Sequence, residues 1–119
     1  MLYLVPFLFQ ISYFLINTQI SCQELPKYFD SELPPKSNET IRILAIGDSI
    51  TYGQGSEHLS TGSWPARLEG LINHGPELKY EVINFGRMGA TMIKKGDLPY
   101  WNDNLYSKAL RSEADIIFV

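Results

Sequence analysis

The sequence predicts a three-layer α/β domain with a doubly wound parallel sheet that is truncated after its third strand. The run from Ile41 to Ile46 is almost continuously apolar, which is typical of a parallel strand covered on both faces, and two further short runs are predicted to be strands. Two segments between these runs carry apolar residues at helical spacing. The resulting order of strand, helix, strand, helix, strand is the pattern of right-handed crossovers between parallel strands.

The three predicted strands are short and differ in composition. The first covers Ile41 to Ile46, and only Arg42 interrupts its apolar run. The second covers Tyr80 to Phe85 and is rich in β-branched and aromatic residues. The third covers Asp115 to Val119, and the sequence stops inside it. We expect these strands to form the first part of a flavodoxin-like sheet.

The first predicted helix follows a long loop from Gly47 to Gly62. Ser63 is a candidate N-cap, Pro65 suits the first turn, and the sequence His-Gly-Pro at 74–76 ends the helix. One apolar stripe is expected from residues at positions i, i+4, i+7 and i+8. These are Trp64, Leu68, Leu71 and Ile72.

A second helix is predicted from Trp101 to Glu113, after an irregular stretch from Gly86 to Tyr100. Trp101, Leu105 and Ala109 would share one face of this helix, with Leu110 beside them. The glycines of the irregular stretch predict a loop rather than a further regular element.

The chain divides into a signal peptide (residues 1–22), an extended leader (23–40) and a folded part (41–119). No charged side chain occurs in the first 22 residues, and the apolar run is shorter than a spanning helix needs. We therefore expect a secreted protein, without stable membrane association once the signal is cleaved. An uncleaved signal that anchors the protein to a membrane is the alternative.

Composition excludes some classes of partner. The net charge of −3 and pI of about 5.3 provide no basic surface, so nucleic acid is not an expected partner. No cofactor is expected, because the sequence has no Walker or dinucleotide-binding fingerprint. No metal is expected either, because no metal-ligating residues cluster at a workable spacing.

Candidate functional residues follow the first two strands. Ligands of parallel sheets bind at the carboxyl ends of the strands, and two loops begin there, after Ile46 and after Phe85. Ser49 in the first loop is a candidate nucleophile, and glycines in the second are candidates for presenting N–H groups to a negative oxygen. Gly-Asp-Ser is also a common turn sequence, so a turn without chemistry is the alternative.

Three sequence blocks together resemble the SGNH (GDSL) hydrolase family of esterases and lipases. They are Gly-Asp-Ser-Ile at 47–50, Trp-Pro at 64–65 and Asn-Phe-Gly-Arg-Met-Gly-Ala-Thr at 84–91. The resemblance covers residues 41–119 and implies that Ser49 is the catalytic nucleophile. It also implies that the N–H groups of Ser49 and Gly89 form part of an oxyanion hole, while Gly86 shapes the turn.

The segment from Lys94 to Trp101 resembles a branch of this family that acts on acetylated carbohydrates. A small-molecule or carbohydrate ester is therefore the expected substrate. Tyr100 and Trp101 are candidates for stacking on a sugar ring, but an aromatic pair near a helix start is more typical of core packing.

The family's later blocks, with an oxyanion asparagine and the catalytic aspartate and histidine, have no counterpart in these 119 residues. The resemblance therefore implies the N-terminal half of the domain, nearly inactive by itself. Neither His58, in the loop after Ser49, nor His74, at a helix end, is expected to be the base. A non-catalytic carbohydrate-binding module and a flavodoxin-like phosphate binder remain as alternatives.

Overall fold

A computed structural model describes residues 25–77 and 79–119, so the predicted signal peptide lies outside the described residues. Three parallel strands form one sheet in the order β2-β1-β3, which confirms the α/β class. The strands are β1 (Ile41–Gly47), β2 (Tyr80–Gly86) and β3 (Ile116–Phe118). β1 pairs with β2 along its whole length and with β3 only from Ile43 to Ala45.

Four α-helices and one 3₁₀ turn accompany the sheet within the described part of the chain. They are α1 (Ser49–Tyr52), α2 (Leu59–Gly62), α3 (Trp64–Ile72), the 3₁₀ turn Tyr100–Asn102, and α4 (Asn104–Leu110). The prediction of a continuous loop from Gly47 to Gly62 was wrong, because two four-residue helices lie within it.

Local capping explains the helix bounds that periodicity missed. The Asp48 carboxylate accepts a hydrogen bond from the N–H of Ile50 (2.9 Å) and caps α1, which ends at Gly53 with φ of +106°. Asp103 caps α4 in the same way. The helix predicted from Trp101 to Glu113 is therefore divided into the 3₁₀ turn and α4.

Helix α3 begins and ends close to its predicted positions, with differences in detail. Ser63 is its N-cap residue by backbone conformation, but its side chain makes no capping hydrogen bond. Leu71 belongs to the predicted apolar stripe and is nevertheless 64% exposed. The helix therefore buries only part of that stripe against the sheet.

The core lies between the sheet and the C-terminal part of the described chain. Its fully buried members are Leu44, Ile83, Phe85, Tyr100 and Leu105, joined by Ala109. The Tyr100 hydroxyl donates a hydrogen bond to the carbonyl oxygen of Phe85 (2.7 Å), and burial raises the pKa of Tyr100. Tyr100 is thus a core residue that fixes the end of β2.

Residues 25–40 contain no helix or strand but pack on the domain. The Phe29 ring contacts the Tyr52 ring edge-on, with 5.7 Å between centroids. The Lys108 ammonium donates to the carbonyl oxygen of Phe29 (2.9 Å), and Arg42 donates to that of Pro34 (2.9 Å). These contacts join the segment to α1, α4 and β1.

Arg42 is the charged residue that interrupts the apolar run of β1, and it is buried. Its Nε pairs with the Glu81 carboxylate (2.8 Å), while Nη1 donates to the carbonyl oxygen of Ser112 (2.7 Å). A buried cation is tolerated when it is paired and hydrogen-bonded in this way. Arg42 thereby ties together β1, β2 and the turn before β3.

No helix within the described ranges is long and apolar enough to cross a membrane.

Asp115 generates a prediction about acid sensitivity. Its carboxylate accepts hydrogen bonds from the Lys36 ammonium and from the backbone N–H of Arg42, and these lower the pKa of Asp115 in the folded state. The resulting stabilisation is present above the unfolded-state pKa and is lost as the pH falls through the lower, folded-state pKa. Denaturant unfolding between about pH 5 and about pH 2 should therefore show a steeper loss of stability in the wild type than in Asp115→Asn. Parallel profiles for the two proteins would contradict this.

Candidate active site

The loops that follow β1 and β2 meet at one end of the sheet. Gly47 and Gly86 are partners in the register of the two strands and are the last residue of each. Just beyond them, the N–H of Arg87 donates a hydrogen bond to the carbonyl oxygen of Gly47 (2.9 Å). The parallel arrangement therefore brings the loop that contains Ser49 directly against the loop that contains Gly89.

Two glycines allow α1 to lie against these strand ends. A Cβ atom at Gly86 would lie 2.1 Å from the backbone nitrogen of Tyr52, and one at Gly47 would lie 2.2 Å from Thr51 Oγ1. The obstacle at Gly86 is backbone, which cannot move aside as a flexible side chain can. The close approach of α1 to β2 therefore requires glycine at position 86, beyond the turn-shaping role expected for it.

Ser49 is the first residue of α1 and is partly exposed. The Asp48 cap uses the N–H of Ile50, whereas the carbonyl oxygen of Ser49 accepts from Gly53 and Gln54. The first N–H groups of a helix have no acceptor within it, so the N–H of Ser49 is free of helical pairing. This placement fits a residue that offers both a hydroxyl and an N–H at the end of β1.

Gly89 lies in a tight turn of the second loop. Its φ of +76° is in the left-handed region that favours glycine, and the N–H of Ala90 closes the turn on the carbonyl oxygen of Arg87 (3.1 Å). Thr91 then pairs with the returning chain, since its N–H donates to Leu98 and its carbonyl oxygen accepts from Tyr100. The backbone at Gly89 is thus held on both sides.

An open groove of about 520 Å³ lies where the two loops meet, and neither Ser49 nor Gly89 is among its lining residues. The first loop contributes Asp48 and Ile50, which flank Ser49, and the second contributes Ala90, which follows Gly89. Thr91 and Ile93 continue the second wall. The structure thus brings together the two chain segments that the sequence singled out, while the chemical roles of Ser49 and Gly89 stay predictions.

The two histidines lie elsewhere. His74 lines a cavity beside Tyr80, where β2 begins, and a seven-residue strand separates that end from the Ser49 end by about 20 Å. His58 precedes α2, and its hydrogen bonds with residues of the described ranges run through its carbonyl oxygen. Neither imidazole is therefore hydrogen-bonded to the Ser49 hydroxyl within those ranges.

The aromatic pair at 100–101 has two different roles. Tyr100 is 1% exposed and cannot stack on a ligand. Trp101 is 37% exposed, donates its indole N–H to the carbonyl oxygen of Met92 (3.1 Å) and packs edge-on against Tyr106. The core-packing interpretation is therefore confirmed for Tyr100, whose ring belongs to the core.

Asn84 is a site-shaping residue that the sequence analysis placed in the third block but gave no role. It is buried in β2, where its amide donates to the carbonyl oxygen of Tyr52 (3.3 Å) and its oxygen accepts from the N–H of Gly86 (2.9 Å). On the other side of α1, the Trp64 indole donates to Thr51 Oγ1 (3.3 Å). A polar amide near the end of an apolar strand was the signal that could have identified it.

Substitution of Gly86 tests this packing. Gly86→Ala should lower the free energy of unfolding by about 3 kcal/mol and displace α1, because the new methyl group meets the Tyr52 backbone. Gly70→Ala in α3 is the matched control, since a Cβ atom there meets open space and alanine favours a helix. Chemical denaturation measures both, and a Gly86→Ala protein as stable as the control would contradict the packing argument.

The chain is 35% identical over 97 residues to an acetylxylan esterase of Xylanibacter ruminicola, an alignment that covers 82% of this chain and 19% of the relative. The chain therefore spans about a fifth of the length of the curated relative it matches. No protein-family model matches the chain. No solved structure matches it either.

Proposed function

We propose that this chain carries the nucleophile-bearing part of a serine ester hydrolase of SGNH (GDSL) type, acting on acetyl esters of carbohydrates. The similarity to an acetylxylan esterase supports both the ester and the carbohydrate in this proposal. The three blocks at 47–50, 64–65 and 84–91 support the SGNH type. The sheet order β2-β1-β3 supports a flavodoxin-like, doubly wound arrangement for the whole domain.

The observation that carries the proposal is the groove shared by the two loops. Its walls are formed by residues that flank Ser49 on one side and follow Gly89 on the other. The hydrogen bond from Arg87 to Gly47 fixes the two loops relative to each other. Such a groove at the carboxyl ends of parallel strands is the place where a ligand of this fold class binds.

In the proposed mechanism, the Ser49 hydroxyl attacks the acetyl carbonyl carbon and gives its proton to a general base. The developing oxyanion accepts hydrogen bonds from the N–H groups of Ser49 and Gly89, each worth on the order of 3 kcal/mol of transition-state stabilisation. The sugar hydroxyl leaves with a proton, and water then hydrolyses the acetyl-enzyme. Both N–H groups belong to backbone that is held in place before substrate binds.

The proposed mechanism also requires a general base. Neither His58 nor His74 is hydrogen-bonded to Ser49 within the described ranges, so the proposal assigns the role of base to neither of them. Residues 1–22 as a signal peptide, 23–40 as a leader, and secretion are parts of the same proposal. A secreted enzyme would meet extracellular acetylated polysaccharide directly.

A fluorophosphonate probe tests the nucleophile. The protein with any C-terminal continuation that its gene encodes should be labelled at Ser49, because the probe traps a serine activated beside an oxyanion hole. Ser49→Ala should abolish the label, whereas Ser107→Ala, an exposed serine on α4, should keep it. Peptide mass spectrometry locates the label.

Two outcomes decide between the candidate functions. Loss of labelling in Ser49→Ala, together with release of acetate from acetylated xylo-oligosaccharide by the wild type, supports the esterase. Absence of labelling in the wild type, with retained binding of the same oligosaccharide, would favour the non-catalytic carbohydrate-binding module.

A further inference from the structure

A second cavity lies beside the groove and shares a wall with it. This cavity, here the Arg87 cavity, measures about 220 Å³, and Ala90 lines both it and the groove. It is also lined by the polar residues Arg87, Asp97, Asn102 and Asp103. Ala90 therefore places the second cavity next to the groove whose walls flank Ser49 and follow Gly89.

An ion pair with Asp103 fixes the Arg87 side chain at this cavity. Its Nε pairs with Asp103 (2.7 Å), and the other carboxylate oxygen of Asp103 accepts from the N–H of Leu105 (2.9 Å). Asp103 is only 19% exposed, whereas Arg87 is 43% exposed. The ion pair thus fixes the guanidinium through Nε and leaves Nη1 and Nη2 as hydrogen-bond donors.

The charges of the cavity favour a neutral ligand. Asp97 and Asp103 contribute two carboxylates against the one guanidinium of Arg87, so an anionic ligand would meet net repulsion. The same walls combine donors from Arg87 with acceptors from Asp97 and with the Asn102 amide, which provides both. This mixture is complementary to the hydroxyl groups of a neutral sugar, each of which both donates and accepts.

The size of the cavity limits the ligand to one small ring. Its volume of about 220 Å³ lies below the range of about 300–1,000 Å³ that is usual for sites of drug-sized ligands. The lining residues Leu98 and Pro99 add an apolar side, as the face of a pyranose ring requires. A single sugar unit therefore fits the available space.

From this juxtaposition we infer that the Arg87 cavity is a subsite for a neutral, unacetylated sugar unit adjacent to the esterified unit of an oligosaccharide. The inference rests on the proposed function, since it places the ester in the groove between the loops. It assigns Arg87 and Asp97 to substrate binding and Asp103 to positioning Arg87. It also implies that oligosaccharides bind more tightly than the corresponding monosaccharide.

Titration with xylotetraose and with xylose, both unacetylated, tests the subsite in the full chain with Ser49→Ala. Xylotetraose should bind at least about tenfold more tightly than xylose, and Arg87→Gln should weaken its binding at least about tenfold through the lost hydrogen bonds. Asp97→Asn should also weaken it, and this variant leaves the Arg87–Asp103 pair intact if Arg87→Gln fails to fold. Lys95→Gln, an exposed change in the same loop, is the control and should bind like the parent.

The outcomes separate this inference from the proposed function. Unchanged xylotetraose affinity in Asp97→Asn and in a folded Arg87→Gln protein, or tighter binding of an acidic tetragalacturonate, would overturn the subsite. Serine labelling at position 49 is measured independently. If Ser49 is labelled but both substitutions leave the xylotetraose affinity unchanged, the esterase proposal stands and only the subsite is contradicted. Amide-shift changes confined to residues 87–103 would support the assignment.

Discussion

The close contact between α1 and the ends of β1 and β2 is the constraint on which the candidate site depends. No side chain fits at Gly86, because the backbone of Tyr52 occupies the position that a Cβ atom would take. This contact places α1 beside the turn that follows β2, and the hydrogen bond from Arg87 to Gly47 closes the remaining gap. The distance between the loops is therefore determined by backbone, which side-chain motion changes little.

This constraint matters because α1 cannot hold itself in place. A helix of four residues is far below the length of about 12–15 residues at which isolated helices become even marginally stable. Its position comes instead from the Asn84 amide, the Trp64 indole and the Asp48 cap. The conformation of Ser49 is consequently a property of the strands and of α3, and it forms only when these elements pack.

Elements with a regular apolar pattern could be predicted from the sequence, whereas elements that depend on a single contact could not. β1 was predictable because the nearly continuous apolar run from Ile41 to Ile46 requires cover on both faces. The residues of β3 have no such cover and are exposed. Helices α1 and α2 were not predictable, since they are too short for an apolar repeat and one of them depends on a single aspartate cap. Tyr100 shows the same limit, because composition cannot distinguish a stacking aromatic ring from a buried one.

The sequence predicted which two loops form the candidate site, but not how their residues are arranged in space. Parallel strands must end at the same edge, so Ser49 and Gly89 were expected to be near each other. The Arg87 cavity required the structure, because Asp97 and Asp103 come together only through the return of the chain from Thr91 to Leu98.

Residues 23–40 were expected to be an extended leader on the basis of their prolines and polar residues, and the structure describes 25–40 of them. The segment also packs on the domain, because the Phe29 ring contacts the Tyr52 ring at the end of α1. The similarity to the acetylxylan esterase agrees with this, since its 97 residues exceed the stretch from Ile41 to Val119 and must extend into the segment.

Arg87 links the two halves of the proposed binding surface. Its backbone N–H holds the loop after β1, and its side chain is held by Asp103, which caps α4. A shift of α4 would therefore reach the groove through one residue, without a contact between α4 and Ser49. In an enzyme whose oxyanion donors must be in place before the reaction, such a rigid link reduces the reorganisation that would otherwise raise the barrier. Under both proposals, the same link would align a sugar unit at Arg87 and an ester beside Ser49 through a single backbone segment.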